Sequence, residues 1–215
     1  MASTVCVVGA SGLVGREVVA QLCADRGVEA VHLMLRSKNE FEPSKKLIQH
    51  VIDFDGLDKA DWPACDALIC CLGTTIKKAG SQAAFRKVDF DYVGQSAQRA
   101  RKAGASCLMV VSAMGADARS MVFYNRIKGE MEAAVAKLGF ASVLIVRPSF
   151  LAGDRVEHRA GEKLALNVLK FGNFLLPKKY QSVSAHAVAR AMVETLSHPT
   201  AGFTVWESDT LQKFK

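Results

Sequence analysis

The chain opens on Val5-Cys6-Val7-Val8, runs at once into Gly9-Ala10-Ser11-Gly12-Leu13-Val14-Gly15, and continues with helical spacing. Few folds use that order. A β-branched strand, a tight glycine turn and a helix start present unblocked backbone N–H groups to an anion. Gly9 lets the chain leave the strand sharply, Gly12 removes a Cβ that would keep a phosphate off the backbone, and Gly15 lets the helix press close. Ser11, Leu13 and Val14 complete the expected cradle. The glycines follow G-x-x-G-x-x-G rather than G-x-G-x-x-G, so the turn taken alone also fits a helix-start loop without a ligand.

The rest of the chain supplies the alternation such a turn needs. Val14, Val18, Val19 and Leu22 repeat at helical spacing, with Gly27 expected as the C-terminal cap. Apolar strands are predicted at 30–35, 47–52, 67–72, 106–111 and 141–146, and a last one at 202–206. Ser81 reads as the N-cap of one long helix ending at Gly104, a second helix covers 120–138, and Ser184 caps a third. Strand and helix in turn give an α/β fold, a doubly wound parallel sheet of Rossmann type, expected as a single domain over 1–215. Residues 148–183, where the alternation loosens, form a small C-terminal excursion on the substrate side.

The cofactor preference follows from the second strand end. Arg36-Ser37-Lys38 falls where a dinucleotide fold meets the adenosine ribose. An acidic residue there accepts from a free 2′-hydroxyl, whereas Arg36, with Lys38 beside it, suits a 2′-phosphate, so NADP is expected over NAD; a snorkelling arginine is the plain alternative. Asp53 could meet the adenine amino group and Phe54 flank the ring, or both could be a surface turn. Cys71, Leu72, Gly73 and Thr74 follow the fourth strand, where ligands lie beyond carboxyl ends.

Charge narrows the partner class. There are 28 basic and 21 acidic residues, a net charge of +7, which could attract a phosphorylated ligand. The basic pairs Lys45-Lys46, Lys77-Lys78 and Lys178-Lys179 are dispersed, without a nucleic-acid motif between them. No nucleic acid is expected. Cysteines 6, 23, 65, 70, 71 and 107 lie mostly in apolar runs with no C-x-x-C, and no apolar run reaches about 18 residues, so a cytoplasmic protein off the membrane is expected. No His, Cys or carboxylate spacing suggests a metal.

The chemistry rests on Tyr124 and Lys128, four apart on a helix, where an ammonium can favour the phenolate. Ser112, at the end of the fifth strand, could hydrogen-bond the same substrate oxygen, and Lys128 could reach the nicotinamide ribose. An ordinary surface pair is the alternative.

These residues together resemble the short-chain dehydrogenase/reductases, in their atypical or extended branch. Cys71-Leu72-Gly73-Thr74-Thr75, Lys78-Ala79-Gly80-Ser81, Lys128-Gly129-Glu130 and Arg147-Pro148 resemble its Tat-interacting-protein-like subgroup. The resemblance implies NADP(H) binding, the cofactor turn at Gly9, Gly12 and Gly15, the 2′-phosphate site at Arg36, and a catalytic set of Ser112, Tyr124 and Lys128. It also implies that Pro148 to Phe150 lie beside the nicotinamide. Where such families often carry an Asn after the fourth strand, this chain has Asp89. The expected function is hydride transfer to or from a small carbonyl or alcohol by a monomer or homodimer. The alternatives are a regulatory NADP(H)-binding protein and an epimerase or dehydratase with tightly held NADP. Met114, Phe150, Leu151, Phe171, Phe174 and Tyr180 could make the substrate pocket apolar, with Arg155, His158 and Arg159 for an acidic group.

Overall fold

Seven parallel strands make the sheet in a computed structural model that describes residues 3–152 and 177–214. In chain order these are β1 (Ser3–Val8), β2 (Val28–Leu35), β3 (Leu47–Val51), β4 (Ala67–Cys70), β5 (Cys107–Val111), β6 (Ser142–Arg147) and, after two short strands, β9 (Gly202–Glu207). Their spatial order is β3-β2-β1-β4-β5-β6-β9. The chain therefore reverses its winding between β1 and β4, the place where a doubly wound sheet opens a crevice at its carboxyl edge. β7 (Leu151–Ala152) and β8 (Val183–Ser184) pair in parallel apart from the main sheet.

Both faces of the sheet are covered, which explains why its central strands are apolar without alternation. Successive strand residues point to opposite sides. Val5, Val7, Leu33, Ile69 and Met109 pack under Val14, Val18 and Leu22 of α1 (Leu13–Ala24) and Val188 and Met192 of α6 (Ala185–Ser197). Cys6, Val8, Leu68, Leu108 and Ile145 pack under Val93 and Ala97 of α4 (Tyr92–Lys102) and Met131 and Val135 of α5 (Phe123–Val135).

The expected architecture holds, with local differences. α1 ends on Asp25 rather than on Gly27: the Asp25 N–H donates to Gln21 O and Leu22 O, and the Asp25 carboxylate accepts from the Gly27 N–H at 2.7 Å. The segment expected as one helix from Ser81 to Gly104 is three. Ser81 caps α3 (Gln82–Arg86) by accepting from the Ala84 N–H at 3.0 Å, a π-helical turn covers Lys87–Asp91, and α4 follows. The inserted turn turns Asp89 fully inward. α2 (Ile76–Ala79) is a single turn after β4, and α7 (Ser208–Leu211) follows β9. Arg155, His158, Arg159, Phe171 and Phe174, expected on the substrate side, lie outside the described residues.

Candidate active site

The glycine turn and the loop leaving β4 are one packed unit. Gly9 has φ 75°, and a Cβ there would lie 2.5 Å from the carbonyl carbon and oxygen of Cys71. Gly15 is required by the turn itself rather than by the sheet: its Cβ would meet Gly9 O at 2.2 Å and Ala10 Cα at 2.7 Å. Gly12 is the N-cap of α1, donates its N–H to Gly9 O at 3.1 Å, and offers no capping side chain. The first-turn N–H groups of a helix have no intrahelical acceptor, and α1 has no side-chain cap to take them. Leu13 and Val14 contribute to that edge through backbone, since the Val14 side chain is in the core.

Arg36 and Lys38 follow β2 and are exposed. A residue overlooked in the sequence fastens this loop. Arg16 donates to Asn39 Oδ1 at 2.9 Å and to Glu40 O at 3.1 Å, with its guanidinium 5.3 Å from the Phe41 ring. Asp53 accepts from the Asp55 N–H at 2.9 Å and thereby caps a short turn. Phe54 does not stand free to flank an adenine. It is 5% exposed in the core against Tyr92, at 5.5 Å between ring centroids, because an apolar ring in the turn after β3 gains more by burial than by standing in solvent.

α5 carries Tyr124, Lys128 and Glu132 at successive turns of one face. The Tyr124 ring rests on Phe85 of α3, at 5.3 Å between centroids. Lys128 is buried, with Nζ 2.7 Å from Asp89 Oδ1. Asp89 Oδ2 accepts the Thr74 N–H at 2.9 Å. A Cβ on Gly73 would lie 3.5 Å from Asp89 Oδ1 and 3.7 Å from Lys128 Nζ, so the β4 loop closes over this pair. Burial works against the charge on Lys128, but the Asp89 carboxylate and the Tyr124 phenol outweigh it and hold the lysine above its ordinary range. Burial pushes the nearby Cys70 thiol up to about 12, which keeps it neutral.

Ser112 follows β5 directly, as expected, and is 5% exposed. Its hydroxyl donates to Glu132 Oε1 at 2.5 Å, and Glu132 also receives Arg147 through Nε at 3.0 Å and a terminal nitrogen at 2.5 Å. A buried carboxylate needs donors, and the Ser112 hydroxyl supplies one. The Pro148 carbonyl accepts the Met114 N–H at 3.1 Å, tying together the loops after β5 and β6, while Phe150 is exposed. Glu132 was legible as the third member of an i, i+4, i+8 series; Arg147 and Arg16 carried no local mark of their roles.

The start of α1, a glycine-tight β4 loop and a tyrosine–lysine helix thus lie around one switch point of the sheet. The sequence pattern of the NAD(P)H-binding family matches residues 9–199. The chain belongs to that NAD(P)H-binding family. It is 37% identical over 206 residues to the protein HTATIP2 of Rattus norvegicus, covering 93% of this chain and 83% of the relative. It is 32% identical over 168 residues to the mitochondrial protein FMP52 of Candida albicans, covering 75% of this chain and 73% of the relative. A short-chain dehydrogenase/reductase family oxidoreductase from Burkholderia thailandensis shares the fold with a TM-score of 0.72 at 16% identity, covering 99% of this chain and 94% of that one. Within the NAD(P)H-binding family this chain is similar to HTATIP2, and it shares the fold of a short-chain dehydrogenase/reductase protein. No helix among the described residues is long and apolar enough to cross a membrane.

Proposed function

We propose that this protein is an NADP(H)-dependent oxidoreductase that moves a hydride to or from a small carbonyl or alcohol, with Tyr124 as the acid/base group. The observation that carries the reading is the placement of buried Lys128 one turn from Tyr124 and against Gly73, on the loop that packs on the Gly9 turn. Bound NADP(H) would supply or accept the hydride. The donors of the α1 start, from Leu13 through Gly15, would hold its pyrophosphate, with Gly12 leaving room for it and Ser11 at the rim. Arg36 and Lys38 would hold the 2′-phosphate, and Asp53 has a second carboxylate oxygen for the adenine amino group. Backbone of Cys71, Leu72, Gly73 and Thr74 would line the ribose side, where Lys128 would meet the hydroxyls. Pro148 and Phe150 would border the nicotinamide. Tyr124 would exchange a proton with the substrate oxygen. In this reading residues 1–215 act as one cofactor-binding domain, with 148–183 shaping the substrate side.

Two measurements test it. NADPH and NADH titrations should show tighter NADPH binding, and Arg36→Ala should weaken NADPH by about 10–100-fold while leaving NADH nearly unchanged. Equal affinities would remove the phosphate argument. With NADPH and a panel of small aldehydes and ketones, Tyr124→Phe should lose about 100–10,000-fold in turnover at unchanged NADPH affinity. Full turnover without the hydroxyl rejects the acid/base role.

A further inference from the structure

Arg36 and Lys38 stand on the connection between β2 and β3, residues 36–46, which forms no helix or strand. A free segment of that kind must be ordered when a ligand arrives, and the ordering costs affinity. Here one residue of the segment is held on three sides. Asn39 donates its N–H to Gln49 Oε1 at 3.1 Å, and its carbonyl accepts the Gln49 side-chain N–H at 3.0 Å. Its side-chain oxygen accepts Arg16 at 2.9 Å. Gln49 belongs to the edge strand β3 and shares a strand face with Leu47, which packs on the core under α1. Asn39 therefore bridges β3 and α1, and Lys38 is its neighbour along the backbone.

Arg16 ties this bridge to the glycine turn. It follows Gly15, and its own N–H donates to Gly12 O at 2.9 Å at the start of α1. From there the guanidinium reaches Glu40 O at 3.1 Å as well as Asn39, and lies 5.3 Å from the centre of the Phe41 ring, which also packs on the core under α1. Both acceptors are neutral oxygens, and none of the ion pairs among the described residues includes Arg16. Its bonds thus serve the loop rather than a carboxylate. A planar fork that meets two oxygens and covers a ring is something that an ammonium does not reproduce.

We infer that Arg16 is a positioning residue for coenzyme choice: through Asn39 it fastens the connection between β2 and β3 to the glycine turn, so that Arg36 and Lys38 are in place before a 2′-phosphate arrives. The inference rests on the NADP(H) reading of the site. It assigns to Arg16 a part in discriminating the phosphorylated cofactor, exerted through the loop.

Dissociation constants for NADPH and NADH, read from the fluorescence of the reduced nicotinamide without substrate, test it. Arg16→Ala should weaken NADPH by about tenfold and NADH by less than about twofold. Arg16→Lys should lose as much as Arg16→Ala, because charge without the fork does not hold the loop. Asn39→Ala should show the same selective loss with α1 untouched, and Arg16→Ala/Asn39→Ala should be no worse than either single variant, since both cut one link. Equal losses of NADPH and NADH would make Arg16 a general structural support and overturn the inference. Rescue by Arg16→Lys, or full NADPH affinity in Asn39→Ala, would also overturn it by assigning Arg16 a direct charge contact. Where Arg16→Ala does not fold, Arg16→Lys and Asn39→Ala decide. A parent that binds NADPH and NADH equally rejects the NADP(H) reading and the inference with it. A parent that prefers NADPH, and keeps that preference in Arg16→Ala and Asn39→Ala, rejects only the role of Arg16.

Discussion

One helix holds two buried acid–base pairs a turn apart, and they differ in the way that separates chemistry from scaffolding. Glu132 and Arg147 form a planar fork: two nitrogens of the guanidinium reach the two carboxylate oxygens, and Ser112 satisfies a further lone pair. Such a pair is directional and saturated, and it fastens α5 to β6. Asp89 and Lys128 meet through one point contact, with an oxygen that has no aligned hydrogen bond, beside the tyrosine and under the loop that packs on the glycine turn. The first pair engages both carboxylate oxygens with three donors; the second is a single ammonium–carboxylate contact held from the β4 loop. Arginine in the scaffold and lysine in the site follow from that difference, since an ammonium is a compact charge with three rotatable donors.

The comparison can be broken most forcefully at Lys128. Lys128→Met should cost about 3–5 kcal/mol in urea unfolding, because Asp89 is left buried and unpaired, and Asp89→Asn/Lys128→Met should recover much of that loss. A double variant no better than Lys128→Met would mean that the lysine contributes through packing rather than charge. Glu132→Gln comes next, at about 1.5–3 kcal/mol, with NADPH affinity unchanged; a fall in affinity would merge the two pairs into one network. Ser112→Ala should cost about 1 kcal/mol of stability, and a loss of turnover beyond about 100-fold at near-native stability would return its hydroxyl to the chemistry. The smallest effect is alkaline. Because the pair holds Lys128 above its ordinary pKa, its contribution is complete below the ordinary lysine value and is lost as pH rises through the folded one. The stability difference between parent and double variant, followed by urea unfolding from neutral into alkaline pH, should shrink only in that upper window. A difference that already shrinks near neutrality would assign it to another group.

The site was unevenly legible. The glycine turn could be read because its three glycines answer to local backbone geometry, although Gly15 proves to be demanded by Gly9 and Ala10 rather than by the sheet. Tyr124 and Lys128 could be paired because helical spacing puts i and i+4 on one face. Ser112 and Phe54 could not be placed, since their assignments depend on which neighbours compete for a hydroxyl or cover a ring, and those neighbours, Glu132 and Tyr92, lie 20 and 38 residues away in sequence. Asp89 was visible only as the residue that stands where such families often carry an Asn.

What the sequence by itself determined was the layered α/β fold and its order of elements, because burial on both faces writes continuous apolar strands and a 3.6-residue period into the chain. It also determined two local features, the tight glycine turn and the tyrosine–lysine spacing along one helix. Only the tertiary structure decided what joins them. The π-helical turn, the inward Asp89, its bond to Thr74 and its contact with Lys128 bring three separate segments to one point. A charge is cancelled or left free by distance in space, and local spacing does not contain that distance.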